Sequence, residues 1–313
     1  MEEKVGIVGA GKLGGSLARA LCEAGVKVVA ITDRVIARAI SKAEKCGDET
    51  CAVPMVALPN DLTMLIIAVS DDAILKVANF VARLDKVNQD CVVAHTSGVL
   101  SSFVLSNLKP KTKLIASFYP VQTFSGSEDD WQRLFGIAYG LEGNSEAVIR
   151  LHDVVKKLHG NIVEIPVDKK ELYHLSCIMA SNFLVALQAA ATKVMSRIGI
   201  DNEEGFSQLE PLIYATLDNI RHMGHSKALT GPIVRRDIGT IERHLKALST
   251  SFPDLVPLYL LLSLLEIDLI LDNNHKDKKL SEIENKLKQI GSESIKYFSE
   301  WNQQSLNQEN DKD

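Results

Sequence analysis

What the chain lacks narrows its function first. It has no surplus of basic charge: 35 lysines and arginines face 40 aspartates and glutamates, for a net charge of −5 and a pI near 5.9. A nucleic-acid partner usually needs a basic face, so none is expected. Cysteines in paired motifs are also missing. Cys22, Cys46, Cys51, Cys91 and Cys177 are odd in number and contain no C-x-x-C. A reduced, cytoplasmic setting is expected, with cysteines acting as small hydrophobes. Cys46 and Cys51 lack a second cluster to complete a metal site, so no metal is expected. The first apolar run leads straight into a glycine turn rather than a leader cleavage site. The most apolar late stretch, Leu255–Leu271, carries Pro257, Glu266 and Asp268 and is short for a membrane span. It reads as a buried or dimer-facing helix, and no membrane partner is expected. No internal repeat is evident.

What the chain has begins at residue 5. Val5 to Gly14 read V-G-I-V-G-A-G-K-L-G, an apolar run that turns into G-x-G-x-x-G with Gly9, Gly11 and Gly14 at the three positions. A strand, a tight turn and a helix in that order bind the pyrophosphate of a dinucleotide. One glycine makes the turn, the second admits the phosphate, and the third lets helix and strand pack closely. The helix N-terminus, at Gly11, Lys12, Leu13 and Gly14, adds free N–H groups and partial positive charge.

Strand and helix signals then alternate. Strands are expected at Val5–Val8, Val26–Ile31, Ala52–Ala57, Met64–Val69, Cys91–His95, Leu114–Phe118, Gly136–Leu141 and Asn161–Ile165. Helices are expected at Gly14–Ala24, Val35–Lys45, Asp71–Ala82 and Glu146–Leu158. The fold class is α/β: a doubly wound, mostly parallel Rossmann sheet, followed by an all-α C-terminal domain. From Asp168 onward the pattern is helical, with helices over 169–198, 203–223, from Thr230-Gly231-Pro232, after Pro253, and over 280–301. The expected domains are 1–166 for dinucleotide binding and 167–301 for substrate and dimerisation, with a flexible tail at 302–313.

The end of the second strand reads Thr32-Asp33-Arg34. An acid there binds a ribose 2′-hydroxyl, whereas an arginine accommodates a 2′-phosphate. Asp33 and Arg34 supply both, and the set favours NADP with NAD as the alternative. Asp33 as a helix cap beside a surface Arg34 is the other reading. Val69 and Ser70 follow the fourth strand at the carboxyl edge, where such sheets bind ligands; Ser70 also suits a helix cap. His95-Thr96-Ser97-Gly98 follows the fifth strand. It sets an imidazole and two hydroxyls close to where a nicotinamide would lie, or else forms a turn whose histidine satisfies local backbone groups. Tyr119, Gln122 and Thr123 line a pocket or shape a turn around Pro120. His174, Ile178 and Asn182 are spaced to share one helix face, with Ser181 beside them. Arg235 and Asp237 open another helix. They hold an anionic substrate, or they form a solvated helix start. His222 and His225 lack an acidic or cysteine partner for a metal.

The ordered set resembles the NADP oxidoreductases that join an N-terminal Rossmann-like domain to a C-terminal helical domain of unknown function. The matching stretches are Gly9–Gly14, His95–Gly98, Tyr119–Phe124, His174 with Ala180–Asn182, and Thr230-Gly231-Pro232-Ile233-x-Arg235-x-Asp237. More distantly the layout is similar to ketopantoate reductase, pyrroline-5-carboxylate reductase and the β-hydroxyacid dehydrogenases. The resemblance implies a homodimer through the helical domain and a substrate cleft between the domains. Those dehydrogenases use a lysine one turn before an asparagine. If Asn182 is that asparagine, the lysine position is Ile178. Related sequences often carry His-Pro where this chain has Tyr119-Pro120, so His95 or His174 would handle the proton. Thr96, Ser97, Tyr119, Gln122, Ser181, Arg235 and Asp237 then line the substrate, with Asn182 among the catalytic groups. The expected function is an NAD(P)-dependent oxidoreductase of a small polar substrate. A non-catalytic NADP-binding sensor or scaffold is the alternative that the missing lysine motivates.

Overall fold

In the computed structural model, residues 3–271 and 277–291 are described. An eight-stranded sheet has the order β3-β2-β1-β4-β5-β6-β7-β8. Its strands are β1 (Lys4–Val8), β2 (Lys27–Thr32), β3 (Cys51–Ala52), β4 (Met64–Ile67), β5 (Val92–His95), β6 (Ile115–Pro120), β7 (Ala138–Gly143) and β8 (Asn161–Glu164). Every pairing is parallel except β6 with β7. The order reverses at β1, so the carboxyl ends of β1 and β4 flank the switch point where such sheets bind ligands. β3 is shorter than expected. Pro54 has no N–H to give a ladder, and a short 3₁₀ turn at Met55–Ala57 follows it.

Both faces of the sheet are covered, which explains strands that are apolar throughout. Ile7 and Ile66 pack on one face with Leu17, Leu21 and Leu151. Val8, Leu65 and Ile67 pack on the other with Ile74, Ala78 and Val81. Fully burying each such side chain contributes roughly 1.5–3 kcal/mol. The covering helices are α1 (Lys12–Glu23), α2 (Ile36–Ala43), α3 (Asp71–Ala82) and α4 (Ser145–Lys157). Asn144 caps α4 by accepting from the Glu146 and Ala147 N–H groups.

The long helix expected over 169–198 is two helices, α5 (Lys170–Ala180) and α6 (Asn182–Ser196). They break at Ser181, whose backbone sits at φ −118° and ψ −67°. The Ser181 hydroxyl bonds back to the Cys177 carbonyl, which competes with the helix ladder. Compact units divide at Phe183/Leu184, beyond the expected boundary at 166.

The second unit is helical. Its elements are α7 (Asn202–Met223), α8 (His225–Ala228), α9 (Pro232–Arg235), α10 (Ile238–Ser251), α11 (Val256–Leu271) and α12 over 278–291. Ile233, Ile241, Leu245, Leu260, Ile267, Leu280 and Leu287 form its core. The helix expected from Pro232 onward stops after one turn. Arg236 adopts a left-handed backbone at φ 56°, and Asp237 starts α10 anew. The last part of the helix expected over 280–301, and the tail 302–313, fall outside the described residues.

Candidate functional site

The three glycines of the opening turn divide the work as their positions require. Gly9 has φ +105°, and a Cβ there would lie 2.3 Å from the Ala68 carbonyl oxygen. At Gly14 a Cβ would lie 1.9 Å from the Gly9 oxygen, so only glycine lets α1 close on β1. Gly11 differs, because a Cβ there meets nothing within 4 Å. Its open side is where a phosphate can approach. Gly11 is also the N-cap of α1 and offers no side-chain cap. The first-turn N–H groups of Lys12, Leu13 and Gly14 therefore suit an anion.

A cleft of about 580 Å³ opens beside this helix end. It is lined by Ala10, Gly11, Lys12 and Ser16, by Arg38, Ser41 and Lys42 of α2, and by Gly126 and Ser127. Three cations and no carboxylate line it. The Gly126 loop is a built wall, because buried Asp130 accepts from the Gly126 N–H at 2.7 Å and the Ser125 hydroxyl at 3.1 Å. Asp33 is committed to the turn. One of its oxygens accepts the Ala10 N–H and the other the Val35 N–H, both at 2.8 Å. Asp33 ties the glycine turn to the end of β2 rather than capping a helix, because the N-cap of α2 is Val35, without a side-chain cap. Arg34 is exposed. Val69 flanks Gly9, and Ser70 is the N-cap residue of α3.

The carboxyl ends of β5 and β6 hold the second cluster. His95 is fully buried, with its Nδ1 accepting the Ser97 N–H at 3.1 Å. Burial, with the Lys170 ammonium nearby, lowers its pKa to about 4, so the imidazole is neutral at physiological pH. The Nδ1 contact matches the turn reading, while the Nε2 is buried without a hydrogen-bond partner. The Ser97 hydroxyl accepts from the Leu100 and Val99 N–H groups, and Thr96 is buried.

Gly98 makes room for two rings. A Cβ there would lie 2.5 Å from His174 Nδ1 and 2.8 Å from Tyr119 Cζ. The two rings meet edge to face at 5.7 Å, and His174 Nδ1 is buried without a hydrogen-bond partner. Burial and neighbouring Cys177 push the Tyr119 phenol above its ordinary pKa. The phenol stays protonated and can only donate or accept a hydrogen bond.

The residue that sequence reasoning missed is Lys170. It opens α5 and is 1% exposed. Its ammonium donates to the Ser117 hydroxyl at 2.6 Å and to the Ser97 carbonyl at 3.3 Å. Burial lowers its pKa to about 8, although Glu142 and Asp71 favour the charged form. Across the sheet, His95 is in register with Ser117 and Ser117 with Glu142. Glu142 is itself buried and accepts from the Ser102 N–H and hydroxyl, both at 2.7 Å. In sequence, Asp168-Lys169-Lys170 reads as an ordinary charged helix start. Its signal was the spacing: Lys170 stands one helical turn before His174. A lysine therefore does precede a polar residue by one turn, displaced from the Ile178 position.

Other expected residues are engaged in their own segments. Asn182 is exposed, accepts from the Ser181 hydroxyl and opens α6 just after the break. Gln122 donates to the Arg133 carbonyl and accepts the Thr123 N–H, which anchors its own loop. In the helical unit, Asp237 caps α10 through the Thr240 N–H and hydroxyl, and Arg235 ends the one-turn α9, exposed. Among the described residues no group of three metal-ligating side chains occurs. Another cleft, about 900 Å³, is lined by Ile115, Gly143 and Asn144 and by no residue of the glycine turn.

Comparison with known proteins agrees with this architecture. Residues 2–120 match the Rossmann-like domain family. Residues 137–265 match DUF2520, a domain of unknown function. The chain thus matches the two models in tandem. Among solved structures it is similar to protein TM1727 from Thermotoga maritima, at 27% identity and TM-score 0.68, over 86% of this chain and 98% of that one. Protein BF3122 from Bacteroides fragilis shares 24% identity at TM-score 0.68, over 85% and 98%. A reductive aminase from Aspergillus terreus, solved with NADPH and ethyl levulinate, shares the fold at 16% identity and TM-score 0.59, over 91% and 99%. No curated protein matches the sequence.

Proposed function

We propose that the chain is an NADP(H)-dependent oxidoreductase of a small polar carbonyl or imine substrate. The observation that carries this reading is the pairing of an uncapped glycine-turn helix end with an unpartnered His174 Nδ1 on one sheet edge. The first-turn N–H groups of α1 would hold the pyrophosphate. Arg38 and Lys42 would face a 2′-phosphate, while both Asp33 oxygens are already engaged. This favours NADP over NAD. The bound cofactor of the reductive aminase named above, NADPH, is consistent with that preference. When bound, the cofactor supplies the hydride.

The chain's own residues supply position and a proton. His174 Nδ1 is the atom offered to the substrate heteroatom, and Tyr119 orients it as a hydrogen-bond partner. Lys170 fixes the Ser97 carbonyl and Ser117 behind them, so the Gly98 slot keeps its shape. The test is consumption of NADPH across a panel of small carbonyl compounds and imines. General acid–base loss at His174→Gln should lower kcat by about 10²–10⁴-fold. A panel with no turnover, or turnover that His174→Gln leaves intact, would reject the assignment.

We also infer a homodimer through the helical unit. Val185, Leu212, Tyr214, Leu261 and Leu265 are each more than half exposed, more apolar surface than a soluble monomer usually leaves. The stretch Val167–Ser196 is apolar enough to cross a membrane by composition, with 6% of its window buried. A second copy is the better cover. The stretch breaks at Ser181, and its first half is pinned to the sheet by Lys170.

A further inference from the structure

We propose that Glu142 is a positioning residue for the slot where His174 and Tyr119 meet a substrate. Its buried carboxylate holds the far end of the loop that carries Gly98. The proposal rests on the oxidoreductase reading of that slot.

Glu142 stands one residue before the end of β7 and is 7% exposed. It faces Ser117 across the antiparallel pair, and Ser117 faces His95 across the parallel one. Residues in register on neighbouring strands share a sheet face. His95, Ser117 and Glu142 therefore form a polar row. Two residues earlier on β5 and β6, Val93 and Ile115 keep the same face apolar. Apolar side chains in place of buried charges are often as stable or more so, so stability alone does not call for this row.

What the row touches is the loop from His95 to Ser102. Near its start, the Ser97 carbonyl accepts from Lys170 Nζ and from the Ser117 hydroxyl, each at 3.3 Å. The Ser97 N–H is held by His95 Nδ1 at 3.1 Å. At its end, one Glu142 oxygen accepts the Ser102 N–H and the other the Ser102 hydroxyl, both at 2.7 Å. Ser102 opens a 3₁₀ turn over Ser102–Leu108, and Ser101 before it offers no side-chain cap. The carboxylate from β7 supplies the acceptor that this first N–H lacks. The bonds from the Val99 and Leu100 N–H groups to the Ser97 hydroxyl stay within the loop. Glu142 thus ties the loop's far end to the sheet. Gly98 lies between the two anchors, where a Cβ would stand 2.5 Å from His174 Nδ1 and 2.8 Å from Tyr119 Cζ. With so little space, a small shift of this loop moves a wall of the slot.

The experiment compares the parent chain with Glu142→Leu and Glu142→Gln. Hydrogen exchange read by mass spectrometry, without cofactor or substrate, follows the 95–102 segment. Glu142→Leu should speed its exchange by about tenfold or more, the factor that one hydrogen bond to a charged group commands. Glu142→Gln should restore most of the protection, because its amide oxygen accepts the Ser102 N–H and its NH₂ can donate to the Ser102 hydroxyl. In turnover with NADPH, Glu142→Leu should lower kcat by about 10–100-fold, the scale of a misplacement of about 1 Å. Glu142→Gln should recover most of that loss. NADPH affinity should not change, because Glu142 does not line the cleft beside α1. If Glu142→Leu does not fold, Ser102→Ala removes one of the two bonds from the loop side and should move exchange and kcat in the same directions.

Unchanged exchange in these variants would overturn the clamp. Faster exchange with unchanged kcat would overturn the positioning role. So would NADPH affinity that falls in step with kcat, the mark of a residue that only supports the fold. If the parent turns over no carbonyl or imine, the oxidoreductase reading fails and the positioning role with it, whereas the exchange comparison still decides the clamp.

Discussion

Gly11 and Gly14 are three residues apart, and the same substitution should do opposite things at each. Alanine at 14 puts a methyl 1.9 Å from the Gly9 carbonyl oxygen and 3.1 Å from Ala68 Cβ. Neither is the loose end of a flexible side chain, so the turn must open. Overpacking of this kind costs about 1–3 kcal/mol or more. Alanine at 11 meets nothing within 4 Å, and the backbone there, at φ −73°, suits any residue. Its folding cost is that of a poorer N-cap, at most about 1 kcal/mol. The methyl does point into the space a phosphate needs. Losing two charge-assisted backbone hydrogen bonds at about 1.5–3 kcal/mol each weakens NADPH binding by more than about 100-fold. Urea unfolding without nucleotide, paired with calorimetric titration, separates the two effects. Gly11→Ala should be folded and fail to bind, whereas Gly14→Ala should be destabilised outright. A Gly11→Ala chain that binds NADPH normally would refute the reasoning, as would a Gly14→Ala chain as stable as the parent.

Three further outcomes follow from the same geometry. His95 has a folded pKa near 4, below its reference value of 6.5. The unfolded chain therefore binds more protons between these values, and stability falls as pH drops through that window, by on the order of 3 kcal/mol. Calorimetric melts should show that slope in the parent and not in His95→Gln; equal slopes would contradict the burial argument. Lys170 is depressed from 10.5 to about 8, so by the same linkage its contribution to stability rises with pH across that interval. The difference between the parent and Lys170→Met in urea unfolding should rise from pH 8 to 10, and a flat difference would mean the ammonium is solvated. Light scattering should give a dimer mass, and Leu261→Lys with Leu265→Lys should give a monomer; a monomeric parent would reject the helical interface.

The framework was legible because its signals are local. The glycine turn, the alternation of apolar strands with helices, and the Asp71 start of α3 are written in adjacent residues, and apart from the shortened β3 the elements of the sheet appear near where their patterns place them. The antiparallel β7 carries no such signal, since strand direction depends on the connection rather than on the strand's own residues. The site was less legible because its partners come from distant segments. Lys170 looks like surface charge until Ser117 and Ser97 are folded against it. Asp33 looks like a ribose ligand until the Ala10 and Val35 N–H groups claim both oxygens. The His174–Asn182 spacing presumes one continuous helix, whereas the helix breaks at Ser181 between them. Gly98 reads as loop flexibility, whereas its role is the space it leaves for His174 and Tyr119.

The most direct test of the account is calorimetric titration of the unmodified chain with NADPH and with NADH. The account predicts one NADPH per chain, with NADH weaker by about tenfold or more because a 2′-phosphate meets Arg38 and Lys42. No heat of binding for NADPH at millimolar concentration, or NADH binding as tightly as NADPH, would contradict it.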